Sequence, residues 1–478
     1  MKLSLVHPSW SGEFGPYASA ASKVSTFPPL NLCLVAAIAE RQGYQVQLID
    51  GHIEGLSHSE ILGKLRLFEP DLVGMTSCTP FFHDVLSLAA AIKDELRIPI
   101  MVGGTHASLC REEAFADSID YLFVGECELN APEFFRELSH GNRFPDVRGV
   151  LMRREGKIVY HGDAQTLDNL DEAPLPARHL LANDRYFLGT SGGRKLYTSV
   201  QMSRGCPFSC VFCANDLHGK RVRFRSPRLV GDELEWVVRK LGATHVFFVD
   251  DTLTLNREFI LAVCDEIERR GLNFSFEGST RANLWDEELV RRLRQCGLVR
   301  ISFGLETADP RVREIIKKNV PLESYVEANR LCNRLGIETI NSVIIGLPGD
   351  TRDGIEQTIR FLANARDLHH VTFNIAVPYP GTELHRMAVS GMHGLKLLDH
   401  DFSKYQRYGS AVMEVNGISP AELIALQQRA LFRIYMRWWR ILPTLRRFGL
   451  STVLTTACRL LLPSRWSRRL EAGRSVSK

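Results

Sequence analysis

Two successive runs of alternating strand and helix patterns predict an α/β protein. The first run reads as a doubly wound parallel sheet and the second as a partial (β/α)6 barrel of the TIM type, followed by a helical C-terminal segment. The 478 residues leave room for about three domains. A composition of 45% hydrophobic and 24% charged residues is that of an ordinary globular chain. Disordered, collagen-like and coiled-coil classes are thereby excluded.

In the first run, Lys2–His7, Gln45–Asp50, 72–76, 99–103 and 121–124 read as strands. Between them Leu30–Arg41, 58–67, 82–95 and 130–139 have helical apolar spacing. Right-handed crossovers put a ligand crevice at the carboxyl ends of such strands. Thr76, Ser77 and Thr79 fall there, with Gly103, Gly104 and His106, and Gly125 and Glu126. Residues 141–195 change character. A hairpin is expected over 147–160, around Arg154-Glu155-Gly156-Lys157, and then Pro174, Pro176, Gly189, Gly192 and Gly193 punctuate a connector. The second run has strands at 197–201, 245–249, 273–277, 300–304, Glu338–Ile345 and 371–376. Helical patterns such as 229–241, 257–270 and 286–296 separate them. The reactive end of such a barrel is the set of loops after its strands. The expected division is 1–140, 141–195, 196–395 and 396–478.

The net charge of +4 hides an asymmetry. No acid lies between Glu422 and Glu471, a stretch with ten arginines: Arg429, Arg433, Arg437, Arg440, Arg446, Arg447, Arg459, Arg465, Arg468 and Arg469. Arg429, Arg433, Arg437 and Arg440 share one helical face. Leu431, Ile434, Tyr435, Trp438, Trp439 and Ile441 occupy much of the rest, the composition of a membrane-interface helix. The alternative is a helix docked on the barrel with a solvated arginine face. RNA is a third option, disfavoured because the body is mildly acidic and no nucleic-acid module is evident; no nucleic-acid partner is expected. The start, MKLSLVHPSW, lacks the apolar core of a signal peptide, and no uncharged apolar stretch reaches about 18 residues. A cytoplasmic home is expected, with peripheral contact on the membrane's cytoplasmic face through the basic tail. In that reducing compartment clustered cysteines read first as metal ligands.

Three of the eleven cysteines cluster. Cys206, Cys210 and Cys213 stand in MSRGCPFSCVFCAND, directly after the strand ending at Gln201. The bland reading is a trio of buried small hydrophobes. Structural zinc takes four closed ligands, and no fourth is evident in the loop, although His218 is near. Three thiolates suit a 4Fe–4S cluster with one iron left open to chelate something else.

On these residues the loop resembles the signature of radical S-adenosylmethionine enzymes. The resemblance, over roughly 197–395, implies that the open iron binds S-adenosylmethionine and that reductive cleavage yields methionine and a 5′-deoxyadenosyl radical. It implies that Phe212 packs on the adenine. Asp250 and Asp251, ending the second barrel strand, are expected near the methionine amino group. Arg281, after the third, suits the methionine carboxylate, which a guanidinium pairs in a fork. Glu306, ending the fourth, suits ribose hydroxyls, and Gly346 opens the GLPGDT turn after the fifth. Pro378-Tyr379-Pro380-Gly381-Thr382 follows the sixth.

The first 140 residues resemble the Rossmann-like cobalamin-binding domain of class B radical S-adenosylmethionine enzymes. The matching stretches are PPL at 28–30, GYQVQLID at 43–50, PDLVGMTS at 70–77, VGGTHAS at 102–108 and VGECE at 124–128. Asp50, Thr76, Ser77, Thr79, Gly103, Gly104, His106, Gly125 and Glu126 are the implied cobalamin contacts. Glycines let a corrin approach the backbone. Cys127 departs from the family's usual glycine. The string Asp50-Gly51-His52-Ile53-Glu54-Gly55 matches a corrinoid motif whose histidine ligates cobalt, but it follows the second strand rather than the first. Cobalamin held without a histidine below the cobalt is therefore expected, with His7 and His106 as polar lining residues.

The resemblance implies three cofactors: a 4Fe–4S cluster, S-adenosylmethionine and cobalamin. The activity it favours is methyl transfer to an unactivated carbon of a small-molecule or lipid-like substrate, such as a polycyclic isoprenoid. Hydrogen abstraction by the 5′-deoxyadenosyl radical would precede donation from methylcobalamin. An external electron donor, such as flavodoxin or ferredoxin, is required. The alternative within the family is an oxidative cyclase or rearrangement enzyme, as in the anaerobic magnesium-protoporphyrin monomethyl ester cyclase group. Methylthiotransferases fit less well, because Cys33, Cys78 and Cys110 are scattered. Outside the family stand a non-catalytic corrinoid sensor or carrier and a zinc-stabilised binding module.

Overall fold

The computed structural model describes residues 1–9, 27–190, 193–214, 217–448 and 450. The N-terminal sheet begins with β1 (Lys2–His7), whose apolar residues are buried on both sides, as a central parallel strand requires. Leu3 and Leu5 pack on one face, against α1 (Leu30–Arg41), while Val6 packs on the other, against α2 (His58–Phe68) and α3 (Phe82–Leu96). β2 (Gln45–Asp50), β3 (Leu72–Ser77), β4 (Ile100–Gly104) and β5 (Tyr121–Phe123) join it in the order β2-β1-β3-β4-β5, all parallel. The strand order reverses at β1, so the crevice opens where β1 and β3 end. α4 (Thr105–Cys110) and α5 (Ala131–Ser139) complete the layers. The hairpin expected in the connector forms as β6 (Val150–Arg154) and β7 (Lys157–Tyr160), and it extends this sheet antiparallel to β5.

The second sheet has the order β16-β15-β14-β13-β12-β9-β8. Its six parallel strands are β9 (Gly193–Val200), β12 (His245–Phe248), β13 (Ser275–Thr280), β14 (Leu298–Glu306), β15 (Glu338–Ile345) and β16 (His370–Ile375). β8 (Phe187–Thr190), which the glycine-rich pattern concealed, pairs antiparallel at the edge. In β14, Ile301, Phe303 and Leu305 are buried in the core, whereas Ser302 and Gly304 line a cavity. The covering helices include α6 (Pro227–Arg239), α7 (Arg257–Arg269), α8 (Glu287–Gln295), α9 (Pro310–Ile315), α10 (Leu322–Arg334) and α11 (Arg352–Asn364). Near the amino ends of the strands a polar belt runs sideways: His245 to Glu277 at 3.1 Å, Glu277 to Arg300 at 2.9 Å, Arg300 to Glu338 at 2.8 Å and Glu338 to His370 at 3.1 Å.

α12 (Glu383–Ser390) leads to a small antiparallel pair, β17 (Leu395–Leu397) and β18 (Met413–Val415). α13 (Pro420–Tyr435), capped by Ser419, buries Leu423, Leu426, Ala430 and Ile434. α14 (Trp438–Phe448) follows after a break at Met436–Arg437, so the expected single amphipathic helix is two. The arginine face is corrected at one position, Arg440, which turns inward. Arg440, 1% exposed, donates to the carbonyls of Leu362 (2.8 Å), Ala365 (3.0 Å) and Leu368 (2.6 Å). A guanidinium thus satisfies carbonyls left open at the end of α11. Arg433 pairs with Glu356 at 2.9 Å and Arg429 lies 3.7 Å from it. The solvent side is mixed: Arg429 and Arg433 remain exposed on it, beside Phe432, Met436, Trp438, Ile441 and Leu442. Arg459, Arg465, Arg468 and Arg469 lie outside the described residues. Among the described residues no helix is long and apolar enough to cross a membrane.

Candidate active site

The cysteine loop hangs between two short strands, β10 (Ser203–Arg204) and β11 (Arg223–Phe224), which pair antiparallel. Gly205 turns the chain at φ +96, where a Cβ would collide with the carbonyl of Arg221, so only glycine lets the loop close. Asp250 anchors the strand before it. Its carboxylate accepts from the Met202 N–H (3.3 Å) and Ser203 Oγ (2.5 Å), and burial lifts it to about 6. Asp250 is consumed by this contact, and its neighbour Asp251 lines the cavity beside the cysteines.

That cavity, of about 250 Å³, takes Cys206, Cys210, Cys213 and Phe212 on one wall and Arg281, Lys318, Ser302 and Ser342 among its others. Among the described residues no three His, Cys, Asp or Glu side chains are grouped as they are around one ion. Three thiols spread along one cavity wall suit a cluster, in which each thiolate bonds a different iron. Burial pushes the Cys210 thiol up, and Lys318 works against it.

Arg281 is 7% exposed and its guanidinium stacks 3.6 Å from the centre of the Phe208 ring. Its buried Nε has no hydrogen-bond partner among the described residues. A buried cation with an unused donor suits an incoming carboxylate. Glu306 is also buried and has a left-handed backbone, φ 63. Its carboxylate, raised by burial, lies 3.3 Å from Lys318 Nζ. Nothing in the sequence marked Lys318, which follows α9 in no motif. Gly346 is not brought here: its N–H donates to Asp350 (2.9 Å), a carboxylate that also takes the Leu347 N–H and makes GLPGDT a closed turn.

A second cavity, about 550 Å³, lies between the two sheets' loop ends. Thr76, Ser77, Gly103, Gly104, Gly125 and Glu126 converge on it, together with His7. Asn31, missed in the sequence, also lines it and donates to Thr76 Oγ1 at 2.6 Å. Gly104, at φ +105, has Ser77 main chain where a Cβ would stand, and Gly125 has open space there. Gln201, Arg204, His218 and Arg225 line the cavity from the barrel side. Such a cleft between glycine-bearing strand ends suits a large flat ligand.

Three expected contacts are turned elsewhere. Asp50 caps the one-turn helix Gly51–Glu54 through the His52 and Ile53 N–H groups and accepts from Tyr186 at 2.6 Å. Burial opposes its ionisation, but His7 at 3.1 Å and Tyr186 hold it below the usual carboxylate range. This capping role accounts for the Asp50–Gly55 string locally, and His52 is not among the cavity's walls. His106 bonds Thr79 Oγ1 at 3.0 Å and is sealed between the rings of Phe82 and Phe402. Burial lowers it to about 4, so it is neutral at neutral pH.

An α/β half-barrel with a three-thiol loop at its strand ends, facing a doubly wound domain across a glycine-lined cleft, defines an enzyme with two separate cofactor cavities. Residues 200–362 match the Radical SAM superfamily and residues 19–135 the B12 binding domain. An uncharacterized methyltransferase of Pyrococcus horikoshii is 32% identical over 91% of this chain and 93% of its own. The anaerobic magnesium-protoporphyrin IX monomethyl ester cyclase of Cereibacter sphaeroides is 26% identical over 91% of this chain and 71% of its own. Among solved structures, the radical S-adenosylmethionine methyltransferase TsrM from Kitasatospora setae, with cobalamin and a [4Fe-4S] cluster bound, has the same fold. It superposes with a TM-score of 0.72 at 17% identity, over 96% of this chain and 99% of that one. The chain belongs to the cobalamin-dependent radical S-adenosylmethionine enzymes. Its cofactors are a 4Fe–4S cluster, S-adenosylmethionine and cobalamin.

Proposed function

We propose that this enzyme methylates an unactivated carbon of a small-molecule or lipid-like substrate. The observation that carries this reading is one loop serving two cavities. Its cysteines open into the inner cavity, while Arg204 and His218, near its two ends, line the cleft that faces the cobalamin domain. When bound, the cluster with S-adenosylmethionine supplies a 5′-deoxyadenosyl radical, and cobalamin supplies a transferable methyl group.

The chain's own residues bind, orient and exclude. Cys206, Cys210 and Cys213 hold iron. Arg281, braced on Phe208, forks onto the methionine carboxylate, and Asp251 faces the methionine amino group. Phe212 packs on the adenine, and Glu306, backed by Lys318, takes ribose hydroxyls. Thr76, Ser77, Gly103, Gly104 and Gly125 offer small polar or bare backbone to a corrin. The apolar walls of the cleft keep water from competing with substrate carbon.

Anaerobic reconstitution followed by product analysis tests this reading. Methyl transfer yields S-adenosylhomocysteine together with 5′-deoxyadenosine. The second alone would favour a cyclase or rearrangement, the reading supported by the similarity to the Cereibacter enzyme. Uptake of cobalamin without cleavage of S-adenosylmethionine would reduce the protein to a corrinoid carrier.

The electron comes from an external donor such as flavodoxin or ferredoxin, in a reducing cytoplasm that preserves the thiolates. The exposed apolar side of α14 rests on the cytoplasmic membrane surface, which would bring the cleft near a lipid-like substrate.

A further inference from the structure

The loop after β5 makes a second, charged contact that cobalamin binding alone does not require. Glu126, 7% exposed, takes Arg223 Nη1 and Nη2 at 2.9 and 2.5 Å, His218 Nδ1 at 2.9 Å and Arg204 Nη1 at 3.3 Å. Glu128 pairs with the same Arg204 at 2.5 Å. Arg204 stands two residues before Cys206, His218 five residues after Cys213, and Arg223 lies in β11, which pairs with Arg204. One carboxylate of the cobalamin domain therefore gathers three cationic or protonatable groups that bracket the cysteine loop.

Burying this many charges is a poor route to stability, because desolvation offsets most of the attraction. Such a network is better suited to fixing register between two surfaces. Here the surfaces are the cavity rim at Gly125–Glu128 and the two ends of the loop that bears the iron ligands. Gly125, Glu126, Cys127 and Glu128 line the cleft, and Glu126 ties that rim to the loop.

We propose that Glu126 is a positioning residue: it registers the cysteine loop against the cobalamin domain, so that filling the cobalamin cleft orders residues 205–214 and 217–222. The inference rests on the cofactor assignments and not on whether methyl transfer or cyclisation follows.

The test is hydrogen exchange of residues 205–214 and 217–222 in full-length, cluster-loaded protein, with and without saturating hydroxocobalamin. Occupancy is read by absorption and iron by analysis. In the unaltered protein cobalamin should slow exchange in these residues about tenfold. Glu126→Gln at full occupancy should lose that protection, and Glu126→Asp should restore part of it. Arg204→Gln, which alters the barrel side of the same network, should also lose it, and it decides the matter if the Glu126 variants do not fold. Protection that persists in Glu126→Gln or in Arg204→Gln would overturn the proposal. So would its absence in the unaltered protein with both cofactors present, or a Glu126→Gln protein that folds but never takes up cobalamin, since Glu126 would then be a ligand contact. Loss of iron uptake in the unaltered protein would instead strike the cofactor assignment.

Discussion

Ser203 donates a 2.5 Å hydrogen bond to the buried carboxylate of Asp250, which ties the end of β12 to the strand that launches the cysteine loop. The acid at this strand end thus supports the loop's geometry, while its neighbour Asp251 faces the cavity. Adjacent residues point to opposite sides where a strand ends, and burial decides which of the two meets a ligand.

Asp250 should give the protein a distinct pH dependence. Burial lifts its folded value to about 6, against about 3.9 for an ordinary aspartate. The folded chain holds the proton more tightly than the unfolded chain. Its favourable contribution is therefore complete below about pH 4 and is lost as pH rises to about 6, on the order of 3 kcal/mol. Urea denaturation from pH 4 to 7 should show this slope in the unaltered protein and a flatter curve for Asp250→Asn. Identical slopes would count against it.

Arg281→Ala should weaken S-adenosylmethionine binding by about 10- to 100-fold, the range for a charge-assisted hydrogen bond of roughly 1.5–3 kcal/mol. Iron–sulfur absorption should be unchanged. Equilibrium binding to the reconstituted protein measures the first, and the visible spectrum the second. Retained affinity would remove Arg281 from the cofactor's contacts.

Gly103 lies at the cavity wall, and a Cβ there would meet only Phe123, at 3.5 Å. Gly103→Val should therefore fold yet obstruct the cleft. Hydroxocobalamin uptake should fall by about tenfold or more, the effect of some 1–3 kcal/mol of overpacking, with iron content preserved. Normal uptake would place the corrin elsewhere.

Arg178 and Glu233 are each 1% exposed and form a 2.5 Å pair that pins the connector to α6. Burial opposes ionisation of Glu233, but Arg178 and Arg225 hold it below the usual carboxylate range. Arg178→Met removes one of those cations and should destabilise by about 3–5 kcal/mol. A denaturation midpoint unchanged from that of an exposed control such as Arg228→Met would contradict this.

The unaltered protein should co-sediment with anionic liposomes at low salt. The double variant Trp438→Ser and Leu442→Ser should lose much of that binding, with an unchanged thermal midpoint, because both side chains are exposed. Deleting α13 as well would be uninformative, since that helix is part of the core. Equal sedimentation of the two proteins would end the membrane reading.

Periodicity and spacing alone determined a good deal. The bounds of β1, β2, α1 and β15 follow from patterns that repeat every two or 3.6 residues, and such patterns report which side of an element is apolar. The cysteine trio stands out by its own spacing, whereas Arg281 is singled out only through the family resemblance. What tertiary structure decided are the destinations of charges. Glu126 meets Arg223 across 97 positions and Arg440 meets Leu362 across 78. β10 and β11 are two residues each, too short for any period. A buried charge is placed by whichever partner can offset its desolvation, and that partner is brought near by the fold of distant segments, which no local pattern encodes.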